Sequence, residues 1–254
     1  MMNQKRREDM ARRIATLGGY RALSGATVLE VGADLDGVSA QMLVDAGAAR
    51  VISTNLNEEW RGQVSNTVER RPLDARKIAD AFEPGSIDII FGVSLLEHID
   101  GLDVFFDGAR RVLSNDGLFY AHGGPIWSSA KGHHIIAKTE SAEYRFGVSE
   151  KNPIPDWAQL IHSEESLADT LLARGVPESD AGIISAFVFR SPEQNRLGYR
   201  SICDLFAASG FTLIEQRDNA FKPPPPDILD AIERGPYGGE ERYDVSGITF
   251  IARQ

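Results

Sequence analysis

The sequence contains one cysteine, Cys203, in 254 residues. A lone thiol excludes an internal disulfide framework, a cysteine zinc site and a paired redox motif, and it suits a reducing, cytoplasmic setting. Long apolar runs are missing as well. The longest, Ile87 to Leu96, is broken by Asp88, Gly92 and Ser94 and is too short to cross a bilayer. The amino-terminal stretch carries Lys5, Arg6, Arg7, Arg12 and Arg13 but not the apolar core that would make it a secretory signal. Positive charge is otherwise scarce: 27 lysines and arginines face 37 aspartates and glutamates. The resulting net charge of −10 argues against a general nucleic-acid binder or an anionic-membrane binder, and favours a small-molecule substrate. No internal repeat interrupts the chain, and 42% hydrophobic content is enough for one well-buried α/β domain spanning 1–254 with an insertion.

What is present is organised around Thr27 to Ala40. Val28, Leu29 and Val31 read as a strand buried on both faces, Gly32 to Gly37 breaks the pattern, and Val38, Met42 and Leu43 resume it at helical spacing. In an α/β sheet this first turn lies at the carboxyl end of the strands, where ligands bind, and Gly32 lets backbone approach one closely. A helix is expected over 3–17, with Met10, Ile14 and Leu17 on one side, ended by Gly18 and Gly19. It reads as a packing helix rather than a lid. A second strand ends at Thr54 and Asn55, and Asn55 sits where nucleoside-binding βαβ units hydrogen-bond a ribose; it reads equally well as the cap of a helix beginning near Glu58. Val68 to Leu73 is a poorer strand leading to Asp74 and Ala75, where Asp74 also suits a helix cap.

Pro84-Gly85 turns the chain into Ile87 to Phe91, the clearest strand. After it come Val93-Ser94 and the run Leu95-Leu96-Glu97-His98-Ile99, a helix Leu102 to Leu113, a turn Ser114 to Gly117 and a strand Leu118 to His122. The loop that follows, His122 to His134, joins glycines, Trp127 and three of the five histidines. His134, His133, His122 and His98 are base candidates there, each with a structural alternative. As a metal site the pair His133-His134 lacks a spaced third ligand, so no metal is assigned. The stretch from about 125 to 200 reads as an inserted helical cap, with Ser163 and Ser166 as helix caps; a stabilising or homodimer-forming insertion is the alternative. A helix Ser201 to Ser209 and strands Phe211 to Gln216 and Gly247 to Ala252 close the chain. The connection through Pro223 to Pro226 and Gly235 to Gly239 is read as a surface excursion without a continuous element.

Glu30, Gly32 and the Leu95 to Ile99 run, set in this order of strands, resemble the class I S-adenosylmethionine-dependent methyltransferases. The resemblance implies a Rossmann-like, doubly wound α/β sheet of seven strands, mostly parallel with an antiparallel last strand, plus the helical cap insertion. It implies S-adenosyl-L-methionine as cofactor and a small-molecule acceptor, possible classes being a sugar or a specialised metabolite methylated on oxygen or nitrogen. The cofactor positions it carries over are Glu30, Gly32, Ala33, Asp34 and Asp36 in the first turn, Asn55 and Leu56 after the second strand, Asp74 and Ala75 after the third, and Val93 and Ser94 after the fourth. Two departures stand out. Asp34 and Asp36 occupy places where the family has glycines, and Asn55 replaces an acidic residue. Two carboxylates at a helix amino end would repel a pyrophosphate, which places an NAD(P)-dependent oxidoreductase below a methyltransferase; a ligand bearing a sulfonium and an ammonium tolerates them. The same departures favour the other alternative, a non-catalytic binding or assembly subunit on the same fold.

Overall fold

In the computed structural model, residues 4–239 and 242–254 are described. The chain forms two compact units. The first is the chain up to Gly123 with Asp204–Arg217 and Thr249–Gln254; the second is Gly124–Cys203 with Asp218–Ile248.

In chain order the elements are α1 (Gln4–Tyr20), β1 (Thr27–Val31), α2 (Val38–Asp45), β2 (Arg50–Asn55), β3 (Gly62–Gln63), β4 (Val68–Pro72), α3 (Ile78–Ala81), β5 (Ile87–Gly92), α4 (Leu102–Val112) and β6 (Leu113–Gly123). They continue with β7 (Ile136–Lys138), β8 (Glu143–Arg145), α5 (Ala158–Ile161), α6 (Glu164–Ala173), α7 (Glu178–Arg190), α8 (Tyr199–Ala208), β9 (Thr212–Ala220), α9 (Pro226–Glu233) and β10 (Val245–Arg253). The main sheet has the order β3-β4-β2-β1-β5-β6-β10-β9. Pairs β2/β4, β1/β2, β1/β5 and β5/β6 are parallel. The fold is a mixed, mostly parallel Rossmann-like sheet with its further antiparallel strands at the carboxyl-terminal end and a helical insert. From β1 the chain moves outward to β2 and β4, then returns to the other side of β1 with β5 and β6. The β1/β5 boundary is therefore the switch point at which open α/β sheets form a ligand crevice.

The central strands are apolar because both faces are covered: in β1, Val28, Leu29 and Val31 are buried, and so is its one charged residue, Glu30. Helix α4 turns Leu102, Phe105, Phe106, Ala109 and Val112 inward at spacings of three and four. The rings of Phe106, Phe119, Phe206, Phe211 and Phe250 meet there, with Phe206 stacked on Phe250 at 4.0 Å. Each such buried ring contributes roughly 2–3 kcal/mol.

Several boundaries differ from the sequence reading. The sheet has eight strands rather than seven, because Gly62–Gln63 adds an antiparallel pair on the edge of β4. Helix α1 runs through Gly18 and Gly19 to Tyr20: Ile14 and Leu17 are held in the core, and that packing outweighs a propensity cost of about 1 kcal/mol per glycine. Position 3 of the expected helix lies outside the described residues. No helix begins near Glu58; Trp60 turns inward instead, donating from Nε1 to the Ser53 carbonyl at 3.1 Å beneath the Arg70 guanidinium. The expected turn at Ser114 to Gly117 is taken up within β6 as a break in register, Ile87 pairing with Leu113 and Ile89 with Leu118. Between the prolines and glycines near the carboxyl end, Pro226 starts α9 from its first turn, where its missing N–H costs nothing, and Ile232 is buried.

The second unit has its own core, built from Trp127, Ile135, Trp157, Leu167, Leu171, Ile184 and Val188 among others. Ser163 caps α6 reciprocally with Ser166, which is thus the capping-box partner rather than a second cap. No helix among the described residues is long and apolar enough to cross a membrane.

Candidate functional site

The turn after β1 shapes the site. Gly32 is left-handed (φ 72°), and a Cβ there would stand 2.9 Å from Leu95 Cδ1, so a side chain would both strain the backbone and crowd the crevice. Ala33 is tied on both sides, its N–H donating to Thr54 O at 2.8 Å and its carbonyl accepting from Asn55 Nδ2 at 2.8 Å. The next residue fills the amino end of α2: Asp34 accepts from the backbone N–H groups of Asp36 (3.0 Å), Val38 (3.3 Å) and Ser39 (3.1 Å). These are the donors that would otherwise cradle a phosphate, and the protein supplies its own anion to them.

Glu30, 3% exposed, accepts from Ser53 Oγ at 2.6 Å and is joined to the Ser39 hydroxyl, which also meets Asp34. Ser39 has one hydroxyl proton for two carboxyl groups. The second hydrogen is supplied when Glu30 is protonated and donates to Ser39 Oγ, which in turn donates to Asp34. Burial agrees with this proton count, pushing Glu30 up to about 7 against the opposing hydroxyls of Ser39 and Ser53, with Asp34 adding to the rise.

A cleft of about 340 Å³ opens at this point. Five predicted positions line it: Glu30, Gly32 and Asp34 from the first turn, and Val93 and Ser94 after β5. The others lie elsewhere. Asp36 is exposed and Leu56 is 72% exposed. Asn55 uses its amide locally, binding Ala33 O and accepting from Asn57 N at 2.9 Å. Asp74 is the cap foreseen as its alternative, accepting from Arg76 N at 3.0 Å; its bond to the Arg76 side chain holds its carboxyl below the usual range, and Ala75 begins the 3-10 turn it caps. Six lining residues were missed: Val31 of β1, Ser39 of α2 and Phe91 of β5, and Arg6, Asp9 and Met10 of α1, the helix read as packing. A polar stripe at positions 6, 9 and 13, beside the apolar stripe at 10, 14 and 17, was the available signal.

In the first unit, His122 is buried and its Nδ1 accepts from the left-handed Ser94 N–H at 3.4 Å, while its carbonyl takes Leu95 N–H at 2.9 Å. Burial, assisted by the Arg13 charge, pushes it down to about 3. His122 thus holds the loop that carries Ser94. The Leu95–Ile99 run seats at the end of β6, where a Cβ on Gly123 would be 2.5 Å from Leu96 Cβ. His98 is exposed, its Nε2 3.8 Å from Glu97 Oε1. In the second unit, His133 is fully buried, its Nδ1 accepting from Ile135 N at 3.3 Å; burial and then the Lys131 charge push it down to about 3. His134 has a left-handed backbone and packs its ring 4.4 Å from that of Phe146.

The β1-turn-α2 unit thus opens on a crevice at the β1/β5 switch point, lined by the carboxyl groups of Asp9, Glu30 and Asp34 and with N–H groups at its helix end already taken by Asp34. Residues 29–121 match the family described as Methyltransferase domain. Residues 29–121 thus form a class I S-adenosylmethionine-dependent methyltransferase domain, a class whose methyl donor is S-adenosyl-L-methionine. Solved structures with the same fold include a Mesorhizobium loti S-adenosylmethionine-dependent methyltransferase, at 14% identity over 96% of this chain and 98% of that one (TM-score 0.57). The Streptomyces coelicolor A3(2) geranyl diphosphate C-methyltransferase matches at 12% identity, over 99% and 82% of the two chains (TM-score 0.54). Phosphoethanolamine N-methyltransferase 2 of Haemonchus contortus matches at 14%, over 96% of this chain and 52% of that one (TM-score 0.53). No curated protein matches the sequence.

Proposed function

We propose that the cleft bounded by Glu30, Gly32, Asp34, Val93 and Ser94 holds S-adenosyl-L-methionine, and that the chain methylates a small molecule on oxygen or nitrogen, a sugar or specialised metabolite being the class in view. The observation that carries this reading is the Glu30–Ser39–Asp34 arrangement: it presents carboxyl groups to the cleft and removes the phosphate-binding N–H groups at the amino end of α2. An NAD(P) pyrophosphate meets repulsion there, whereas the sulfonium and ammonium of the methyl donor meet charge of the opposite sign. The net charge of −10 supports a small acceptor over nucleic acid.

When bound, the donor supplies an activated methyl group. The residues of the chain are left to hold it, exclude water and, where the acceptor is protonated, accept a proton. Gly32 lets backbone approach the ligand; Val93 and Ser94 offer backbone groups at the end of β5, and His122 fixes their loop. Proton removal is assigned to an imidazole nitrogen of His98 or His134. His122 and His133, low in basicity and engaged through Nδ1 with backbone N–H groups, are assigned to holding structure. Replacement of His98 and of His134 by Gln under saturating donor separates them: the base lowers turnover roughly 100-fold or more. Asp74, Ala75, Asn55 and Leu56 lie outside this lining and are not among the donor contacts proposed.

A screen with methyl-labelled donor is expected to find transfer to small molecules. Transfer solely to RNA, DNA or protein would overturn the acceptor assignment. The engagement of Asn55 in its own loop favours a second reading, a binding or assembly subunit on the same fold that does not bind the donor; a folded protein that binds neither S-adenosylmethionine nor S-adenosylhomocysteine would support it.

A further inference from the structure

Three stretches distant in sequence meet around one carboxylate of the second unit. Asp156 binds Lys131 Nζ through Oδ1 at 2.7 Å and Lys222 Nζ through Oδ2 at 2.9 Å. Burial pushes the Asp156 carboxyl up, but the two ammoniums outweigh it and hold the group below its usual range. Two cations thus share one anion, and the cluster carries surplus positive charge on a chain whose net charge is −10. His133, which feels the Lys131 and Asp156 charges, is kept neutral by its burial and adds none.

The cluster stands on a fixed aromatic floor. Trp157 is buried, with its backbone N–H donating to Ala130 O at 3.0 Å and its Nε1 to Tyr243 O at 3.1 Å. These contacts hold it at φ 60°, a left-handed conformation that bulky residues avoid, and so fix the backbone that carries Asp156. Lys222 Nζ lies 5.9 Å from the Trp157 ring and 5.8 Å from that of Phe221, which is 51% exposed. An aromatic ring is therefore left in water beside surplus charge. Each ammonium has three donors and gives one to Asp156, so donors remain for a second anion.

We propose that Lys131, Lys222 and Phe221 form a binding site for a small organic anion, a carboxylate or phosphate group carried on an apolar or aromatic body. The lysines, as point charges, select the head group by charge rather than shape, and the Phe221 ring covers the body. Asp156 sets the lysines in place and competes with the ligand. One exposed ring and a net charge of −10 favour a soluble ligand over an anionic membrane surface. No residue of the donor cleft takes part, so the site stands independently of the donor reading.

The test is calorimetric titration of the full chain, at low salt, with phenyl phosphate, phenylacetate and inorganic phosphate. Both aromatic anions are expected to bind saturably, phenyl phosphate more tightly because it carries more charge. Lys131→Gln and Lys222→Gln are each expected to weaken phenyl phosphate roughly fivefold, and Lys222→Arg to retain it. Phe221→Ala is expected to weaken phenyl phosphate and leave inorganic phosphate unaltered. Asp156→Asn decides the sign: removing the competing charge is expected to tighten binding roughly threefold, which a purely structural ion-pair network would not do. Melting temperatures control for folding, and the two lysine variants keep the test decisive where Asp156→Asn does not fold. No saturable binding, unchanged affinity in the lysine variants, or weaker binding in folded Asp156→Asn would overturn the proposal. So would binding to phosphatidylglycerol vesicles, lost in the lysine variants, by a protein that ignores phenyl phosphate.

Discussion

Two buried carboxyl groups, one in each unit, are treated in opposite ways. Asp180, 2% exposed, accepts from the hydroxyls of Tyr144 (2.7 Å), Thr139 (2.9 Å) and Ser141, with Ser179 on its other oxygen at 3.3 Å. The Ser141 and Tyr144 hydroxyls hold its carboxyl below the usual range. Glu30 is equally buried but shares its Ser39 hydroxyl with a second carboxylate, and it is raised to about 7. Hydrogen-bond donors in excess hold a buried carboxyl group ionised; where burial outweighs the donors, as at Glu30, the proton is retained. Only the second kind opens on a cleft, and it is the kind expected where function resides.

The comparison breaks most visibly through pH. Between about 4.5 and 7 the folded protein holds a proton on Glu30 that the unfolded chain has lost, so this residue's contribution to stability is full below 4.5 and falls as pH rises through 7. The fall amounts to about 3 kcal/mol at most. Urea unfolding at pH 5 and pH 8 is expected to show it in the wild type and to lose this component in Glu30→Gln. Asp180 has the opposite sign: its lowered pKa contributes stability that is present above pH 4 and lost as pH falls through the folded value, so Asp180→Asn is expected to flatten the acid side of a melting-temperature profile.

Gly32→Ala comes next. A left-handed alanine with its Cβ 2.9 Å from Leu95 is expected to cost about 1–2 kcal/mol in stability and to weaken S-adenosylhomocysteine binding, read by thermal melts and titration. Asn55→Ala is expected to cost about 1 kcal/mol through its two loop hydrogen bonds, with donor affinity changed less than fivefold; a larger loss of affinity would return Asn55 to the ribose. Leu56→Ala, at an exposed position, is expected to stay within about 0.5 kcal/mol of wild type and to leave donor affinity unaltered.

The sequence made the βαβ core legible because its signals are local and repeated. Val28, Leu29 and Val31 mark a strand covered on both faces, and Ile87 to Phe91 marks its partner. Glu30, Gly32, Asp34, Val93 and Ser94 follow from their places at the ends of those strands. Other features were hidden because they depend on contacts distant in sequence. Nothing local makes Trp60 turn back onto Ser53 or lets Gly18 and Gly19 stay helical. The histidines misled for the same reason: a residue type names a chemistry, but burial and the Ser94 and Ile135 N–H groups decide what His122 and His133 are able to do. Arg6, Asp9 and Met10 needed the position of α1 against the sheet before their stripe had meaning.

The most direct test of the central claim is titration of the folded protein with S-adenosylhomocysteine and S-adenosylmethionine, with NAD and NADP as controls. The acidic cleft, with its helix end closed by Asp34, predicts binding of the methionine-derived ligands alone. Binding of NAD or NADP, or of none of the four, would contradict it.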